Sequence, residues 1–242
     1  MTSLAFKLAN HEQSVPPLQN GDRLDRIEFE RRYDAMPHLK KAELINGVVY
    51  MPAAAIRFEQ HGAPHFDLIS WMGLYRTGTP GIRGGDNSSL RLDMLNEPQP
   101  DAFLLILKEF GGQARIDKEG YVTFGPELIG EVTASTASYD LHDKLAVYQR
   151  HRVQEYIVWR VVDQEIDWFR LQGKRYTPLA AKGGIFRSRV LPGLWLHARA
   201  LIHGDMVGAA RVAKKGLASA EHKAFVEQLR KITNRGGKKR KG

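Results

Sequence analysis

The chain has 242 residues, of which 43% are hydrophobic and 26% charged, a balance typical of globular proteins rather than disordered or fibrous ones. It contains no cysteine, which excludes thiol nucleophiles, iron–sulfur clusters and cysteine-ligated zinc. No apolar run approaches the roughly 18 residues of a membrane span, and the opening segment lacks a secretory apolar core. We therefore expect a cytoplasmic protein without a membrane partner.

The formal net charge of +9 is distributed unevenly along the chain. Residues 205–242 hold eleven Lys or Arg against three acids, a net of +8, which leaves +1 for residues 1–204. We predict a mobile lead-in over 1–24, one domain over 25–204, and a basic, helical and then disordered extension over 205–242. Its terminal run either binds nucleic-acid phosphates or serves as a solubilising tail. That run contains Lys238, Lys239, Arg240 and Lys241.

Hydrophobic periodicity and turn residues predict the secondary structure. Asn46-Gly47 between two apolar runs predicts a hairpin with a tight type I′ turn over residues 42–51. Helical spacing predicts helices over residues 24–33, 64–75, 140–151 and 221–232. Predicted strands cover residues 88–92, 101–106, 128–132, 155–162, 165–171 and 175–179. This order of elements indicates a mixed α/β (α+β) domain built around one sheet.

Three acidic residues lie inside or beside predicted strands. Glu131 lies within an apolar run, Asp101 follows a proline and opens another, and Glu43 begins the hairpin. A buried carboxylate is costly unless a positive charge or a metal ion compensates it. Acids from neighbouring strand ends can together bind a hard divalent cation. Two structural alternatives stay open, because Asp101 can cap a turn and Glu131 can pair with Lys144 without a metal.

Four segments resemble the Uma-type restriction endonuclease family, a domain of unknown function in the PD-(D/E)XK nuclease superfamily. They are Pro100-Asp101, Glu131-Val132-Thr133, the stretch from Asp140 to Tyr148, and the stretch from Glu155 to Trp159. The hairpin is also similar to the family's Tyr-Glu-Leu-Ile-Asp-Gly-Glu segment, from which Ala42, Asn46 and Val48 depart. The resemblance covers about residues 29–201.

The resemblance implies a restriction-endonuclease-like fold in a single domain, and a homodimer. It also implies that Asp101 and Glu131 ligate Mg²⁺ or Mn²⁺, that Glu43 joins them in the site, and that Lys144 is the catalytic lysine. The superfamily pattern places its lysine two residues after the second acid, where this chain has Thr133. In the Uma-type family the lysine is thought to have moved to the following helix, where Lys144 stands.

We therefore predict an endonuclease that hydrolyses phosphodiester bonds in DNA, in which Glu43, Asp101 and Glu131 bind one or two Mg²⁺ ions and Lys144 positions the nucleophile. A non-catalytic nucleic-acid-binding or regulatory protein on the same fold is the alternative. Glycoside hydrolysis by paired carboxylates is less favoured, because it does not explain a lysine among the acids. The choice between DNA and RNA stays open.

Two further patterns receive structural interpretations. His61 and His65 have the spacing of a helical zinc pair, but Gly62 replaces the required glutamate and Pro64 disrupts the turn. Three aromatic residues on predicted strands are interpreted as sheet packing rather than as a base-stacking platform. They are Trp159, Trp168 and Phe169.

Overall fold

The computed structural model describes residues 15–51, 57–134 and 140–238. The strands are β1 (Glu43–Ile45), β2 (Val48–Tyr50), β3 (Ile82–Gly85), β4 (Leu90–Arg91), β5 (Ala102–Ile106), β6 (Arg115–Ile116), β7 (Val122–Thr123), β8 (Leu128–Thr133), β9 (Glu155–Arg160), β10 (Glu165–Gln172), β11 (Arg175–Pro178), β12 (Ile185–Arg187) and β13 (Trp195–His197). The α-helices are α1 (Arg26–Asp34), α2 (Ala63–Gly78), α3 (Leu145–Arg150), α4 (Ala198–Ile202), α5 (Met206–Leu217) and α6 (Ala220–Lys238). Two π-helical turns cover Phe58–Gly62 and Asp140–Lys144, and a 3-10 turn covers Lys108–Phe110. The mixed α/β class predicted from the sequence is confirmed.

The largest described sheet is mixed and has six strands in the order β11-β10-β9-β8-β5-β3. Strands β8 and β9 are parallel and are joined by a crossover that contains α3, whereas the other neighbours are antiparallel. Strand β5 pairs with β8 so that Ala102 lies opposite Gly130. This register brings the residue before β5, Asp101, beside Glu131.

Helix α2 packs against one face of the sheet, and a glycine in β8 allows the close approach. A Cβ atom on Gly130 would lie 3.0 Å from Met72 Cε and 3.1 Å from Leu68 Cδ2. The opposite face carries a second apolar cluster that includes Tyr148 and Tyr156. Every residue of β8 is buried, so Glu131, the acid in this strand, lies in a part of the sheet that apolar layers cover on both faces.

The predicted hairpin forms β1 and β2. Asn46 and Gly47 have φ angles of +52° and +76°, the two positive values that a type I′ turn requires. Residues 15–24, the described part of the lead-in predicted over 1–24, pack on this hairpin. Leu18 is buried, and the Gly21 backbone N–H donates to the Val49 carbonyl at 2.8 Å. The remainder of that predicted segment, residues 1–14, lies outside the described residues.

Helices α5 and α6 continue the packed body beyond residue 204. Ala213 on α5 and Leu229 on α6 join the cluster formed with α2, and His222 Nε2 lies 2.9 Å from Thr79 Oγ1. The boundary predicted at residue 204 stays a prediction, and the charge count behind it does not register the apolar faces that these helices bury. Helix α6 also extends beyond the predicted residues 221–232. Residues 239–242 lie outside the described residues.

Several elements were not predicted from the sequence, and β3 shows the reason. Its Gly84-Gly85 pair is a poor strand former, but the edge of the sheet pairs it with β5. Trp159 and Trp168 are buried in the sheet, as predicted. Within the described part of the chain, none of the helices is long and apolar enough to cross a membrane.

Candidate active site

Asp101 and Glu131 interlock across the pairing of β5 with β8. The Asp101 backbone N–H donates to Glu131 Oε2 at 3.3 Å, and the Val132 backbone N–H donates to Asp101 Oδ2 at 2.9 Å. Both side chains are buried. Each carboxylate therefore binds the backbone of the neighbouring strand, and Asp101 does not use its side chain to cap a local turn. The register of two strands sets the relative positions of the two acids.

Lys144 reaches this pair from the second π-helical turn. Its Nζ atom lies 2.9 Å from Glu131 Oε1 and 3.0 Å from Glu43 Oε1. The Tyr148 hydroxyl, one helical turn later, donates to Glu131 Oε1 at 2.9 Å. The Gln99 backbone N–H donates to Glu43 Oε1 at 2.7 Å and so anchors the hairpin acid. The structure brings together the four residues proposed for the site, although they come from separate parts of the chain.

Three further residues contact Asp101 and were missed in the sequence interpretation. Lys41 Nζ lies 3.1 Å from Asp101 Oδ1, and His61 Nε2 lies 3.3 Å from Asp101 Oδ2. His65 Nε2 lies 2.7 Å from the Asp101 carbonyl oxygen. The helical spacing of the two histidines, interpreted above only with respect to a zinc pair, was the available signal. Lys41 stands two residues before Glu43. In an extended strand, side chains at this spacing lie on the same face, and this was the available signal for Lys41.

Charge compensation keeps Asp101 and Lys41 ionised. Burial by itself would raise the pKa of Asp101, but the hydrogen bond from His61 and the charges of Lys41 and Lys144 outweigh it and hold that pKa well below its usual range. Burial by itself would lower the pKa of Lys41, whereas the nearby carboxylates, Asp101 first among them, raise it. At neutral pH, Asp101 is therefore a carboxylate and Lys41 an ammonium.

The chemistry of the acids suits a hard divalent cation. Carboxylate oxygens are the ligands that Mg²⁺ prefers, and Mg²⁺ usually takes one or two of them together with water and phosphate oxygens. Within residues 15–51, 57–134 and 140–238, no group of three or more His, Asp or Glu is arranged to hold a metal ion. Asp101 and Glu131 supply two carboxylates, a number that Mg²⁺ usually takes from a protein.

Glu43, like Asp101 and Glu131, is already held by protein donors. Its Oε1 atom already accepts from the Gln99 backbone and contacts Lys144. Thr133, at the superfamily's usual lysine position, is buried at the end of β8, and the ammonium beside Glu131 is that of Lys144. The side chain of Lys238 and the whole of Lys239, Arg240 and Lys241 lie outside the description, so their predicted contact with nucleic acid stays a prediction.

Comparison with known proteins links this geometry to nucleases. The sequence model of the Uma2 family, described as "Putative restriction endonuclease", matches residues 27–199. The fold is similar to that of a "putative nuclease belonging to DUF820" from Anabaena variabilis, with a TM-score of 0.51 and 12% sequence identity. The match covers 71% of this chain and 97% of that one, and it shows a restriction-endonuclease-like fold. None of the curated proteins matches the chain.

Proposed function

Because the chain belongs to the Uma2 family, we propose that its nuclease-like site is a metal-dependent endonuclease centre that hydrolyses phosphodiester bonds in DNA. The observation that carries the proposal is the buried cluster in which Asp101, Glu131 and Lys144 meet, with Lys144 Nζ 2.9 Å from Glu131 Oε1. A pair of acids with an adjacent ammonium fits phosphodiester hydrolysis, because phosphate brings negative charge that cations must balance.

Asp101 and Glu131 would hold the ion, which we propose is Mg²⁺ or Mn²⁺. When bound, such an ion supplies Lewis-acid activation of water and neutralises phosphate charge. Lys144 offers an ammonium beside Glu131 that can orient a nucleophile or contact the phosphate. Glu43 and Tyr148 keep this arrangement in place, Glu43 by contacting Lys144 and Tyr148 by donating to Glu131.

Lys41 and His61 contact Asp101 directly. Their contacts with its two carboxylate oxygens hold the side chain in one orientation. Among the described residues, Nδ1 of His61 is buried and has no hydrogen-bond partner. This nitrogen therefore has hydrogen-bonding capacity for water or substrate within the site.

One observation favours the alternative of a non-catalytic nucleic-acid-binding or regulatory protein. Lys41 and Lys144 already contact the three acids, so the cluster has compensating charges without an ion. A protein that kept this fold for binding alone would need no divalent metal. The two functions therefore differ in metal affinity and in turnover.

Cleavage of plasmid DNA and of an RNA of matched sequence would be measured with Mg²⁺, with Mn²⁺ and with a chelator. We expect metal-dependent cleavage of DNA, and its loss in Asp101→Asn together with loss of Mg²⁺ binding by calorimetric titration. Glu227→Gln, which alters an exposed acid on α6, is the matched control and should behave as wild type. Nucleic-acid binding without metal affinity or cleavage would reject the nuclease in favour of the binding protein. Analytical ultracentrifugation would test the proposed homodimer.

A further inference from the structure

A cleft of about 320 Å³ lies beside helix α1, on residues that the candidate active site does not use. Its lining comes from α1, from the segment after α1, and from the chain on either side of β4 and before β7. Three lining residues are acids, Glu30, Asp34 and Glu97, and none of the described residues in the lining is Lys, Arg or His. Ligand pockets in proteins begin at about 300 Å³, so this space, here called the α1 cleft, can hold a small molecule.

Glu97 is the buried acid of the cleft. Only 2% of the residue is exposed, and its Oε2 atom accepts no hydrogen bond from an N–H or O–H group of the described residues. The Glu97 backbone pairs with Leu44 of β1 in both directions, at 2.8 and 3.1 Å, which fixes the point where the side chain begins. Burial and the adjacent Glu30 carboxyl group, which can bond to Glu97 only through a shared proton, raise the pKa of Glu97 to about 8. A buried carboxyl oxygen without a donor has hydrogen-bonding capacity for a ligand.

The cations around the cleft are engaged with other acids. Every basic side chain of α1 and β4 is already paired, and the pairs are Arg26–Glu30, Arg31–Glu28, Arg32–Glu28, Arg91–Glu30, Arg91–Asp117 and Arg91–Glu119. The other basic residues next to the lining segments are exposed and stand outside the lining, and they are His38, Lys40 and Lys118. Asp34 and Glu97 form no ion pair within the described part of the chain. The cleft therefore presents two acids that have no cation of their own.

The remaining lining favours an organic ammonium ion over a metal ion. Tyr33 and Tyr121 contribute aromatic rings, and Met36 and Leu39 pack against the apolar cluster that includes Leu44. Such walls suit a ligand that carries hydrocarbon as well as charge. A hard metal ion needs several oxygen ligands, and within residues 15–51, 57–134 and 140–238 no three or more His, Asp or Glu are arranged to hold one.

We propose that the α1 cleft binds a small aliphatic amine as its ammonium ion, with Glu97 accepting a hydrogen bond from the ammonium and Asp34 adding negative charge. Tyr33, Met36 and Leu39 would cover the hydrocarbon chain of the ligand. An ammonium group has only donors, so it matches the Glu97 Oε2 atom that lacks one, and its charge compensates the buried carboxylate. The inference does not depend on the nuclease function, because no residue of the Asp101–Glu131 site takes part in it.

The test is a calorimetric titration of n-pentylammonium into the full chain at about pH 9, where Glu97 is ionised and an alkylammonium is still protonated. We expect Glu97→Gln to weaken binding about tenfold or more, because it removes a charge-assisted hydrogen bond. Asp34→Asn, at an exposed position, should weaken binding by a smaller factor of about two to three. Glu227→Gln, which alters an exposed acid on α6, is the matched control and should bind as wild type does. The neutral analogue n-pentanol should bind more weakly than the amine.

A second measurement locates the bound amine. Nuclear Overhauser cross-peaks are expected between the ligand methylene protons and the ring protons of Tyr33 and Tyr121. Binding without these cross-peaks would overturn the proposal, and so would the absence of binding to wild type or an unchanged affinity in folded Glu97→Gln. Equal affinity for n-pentanol would also overturn it, because the cleft would then select only for hydrocarbon. Mg²⁺ binding that is lost in Glu97→Gln, without amine binding, would assign the cleft to a metal instead. If Glu97→Gln does not fold, the Asp34→Asn titration and the cross-peaks decide the question.

Discussion

Replacing Lys144 by Met tests the buried charge cluster most directly. The ammonium contacts Glu131 at 2.9 Å and Glu43 at 3.0 Å, and only 4% of the Lys144 side chain is exposed. Met keeps most of the side-chain volume but leaves two buried carboxylates without this partner. Its introduction should lower the free energy of unfolding by about 3–5 kcal/mol. For a chain of this size, each kcal/mol lowers Tm by roughly 2–4 °C. We therefore expect a Tm lower by about 6–20 °C.

Thermal unfolding followed by circular dichroism at pH 7 without divalent metal measures this loss. Lys223→Met is the control, because Lys223 is exposed on α6 and the same substitution there should change Tm by no more than about 2 °C. A Lys144→Met variant with a Tm as close to wild type as the control would refute the reasoning about the buried pair.

The same variant separates a catalytic lysine from a purely structural one. At 25 °C, below its unfolding transition, Lys144→Met should retain Mg²⁺ binding in a calorimetric titration and lose cleavage, because Asp101 and Glu131 remain. Loss of metal binding as well would identify Lys144 as a structural ion-pair partner whose removal disorganises the acids. Retained cleavage would reject its proposed role in turnover.

Two further predictions concern pH and salt. Because the folded-state pKa of Asp101 is depressed, its carboxylate stabilises the fold above its unfolded pKa of about 4, and this stability is lost as the pH falls below that value. Asp101→Asn should therefore make Tm fall less steeply between about pH 5 and pH 2. If the Tm of the variant fell with pH over this range as steeply as that of wild type, the result would contradict the charge cluster. Deleting residues 235–242 removes five positive charges and should weaken DNA binding, flattening the slope of log affinity against log salt by at most about 4.5 units. An unchanged slope would leave these residues only a solubilising role.

Local signals in the sequence determined the elements that carry the site. Asn46-Gly47 specifies the hairpin because few other residue pairs adopt two consecutive positive φ angles. The apolar runs around Asp101 and Glu131 indicated buried acids, since a continuous apolar strand is covered on both faces. The prediction that Lys144 is the catalytic lysine depended on family resemblance, because a separation of thirteen residues from Glu131 along the chain does not define a distance in space.

Tertiary structure alone decided which side chains surround those acids. Lys41, His61 and His65 meet at Asp101 because the segment before β1, the first π-helical turn and helix α2 converge on the start of strand β5. The order and register of strands, and the approach of α2 to Gly130, are properties of the whole sheet. No short stretch of the sequence determines these properties. The burial of α5 and α6 follows the same rule, because an amphipathic helix specifies that one face must be covered, and only the folded chain supplies the surface that covers it.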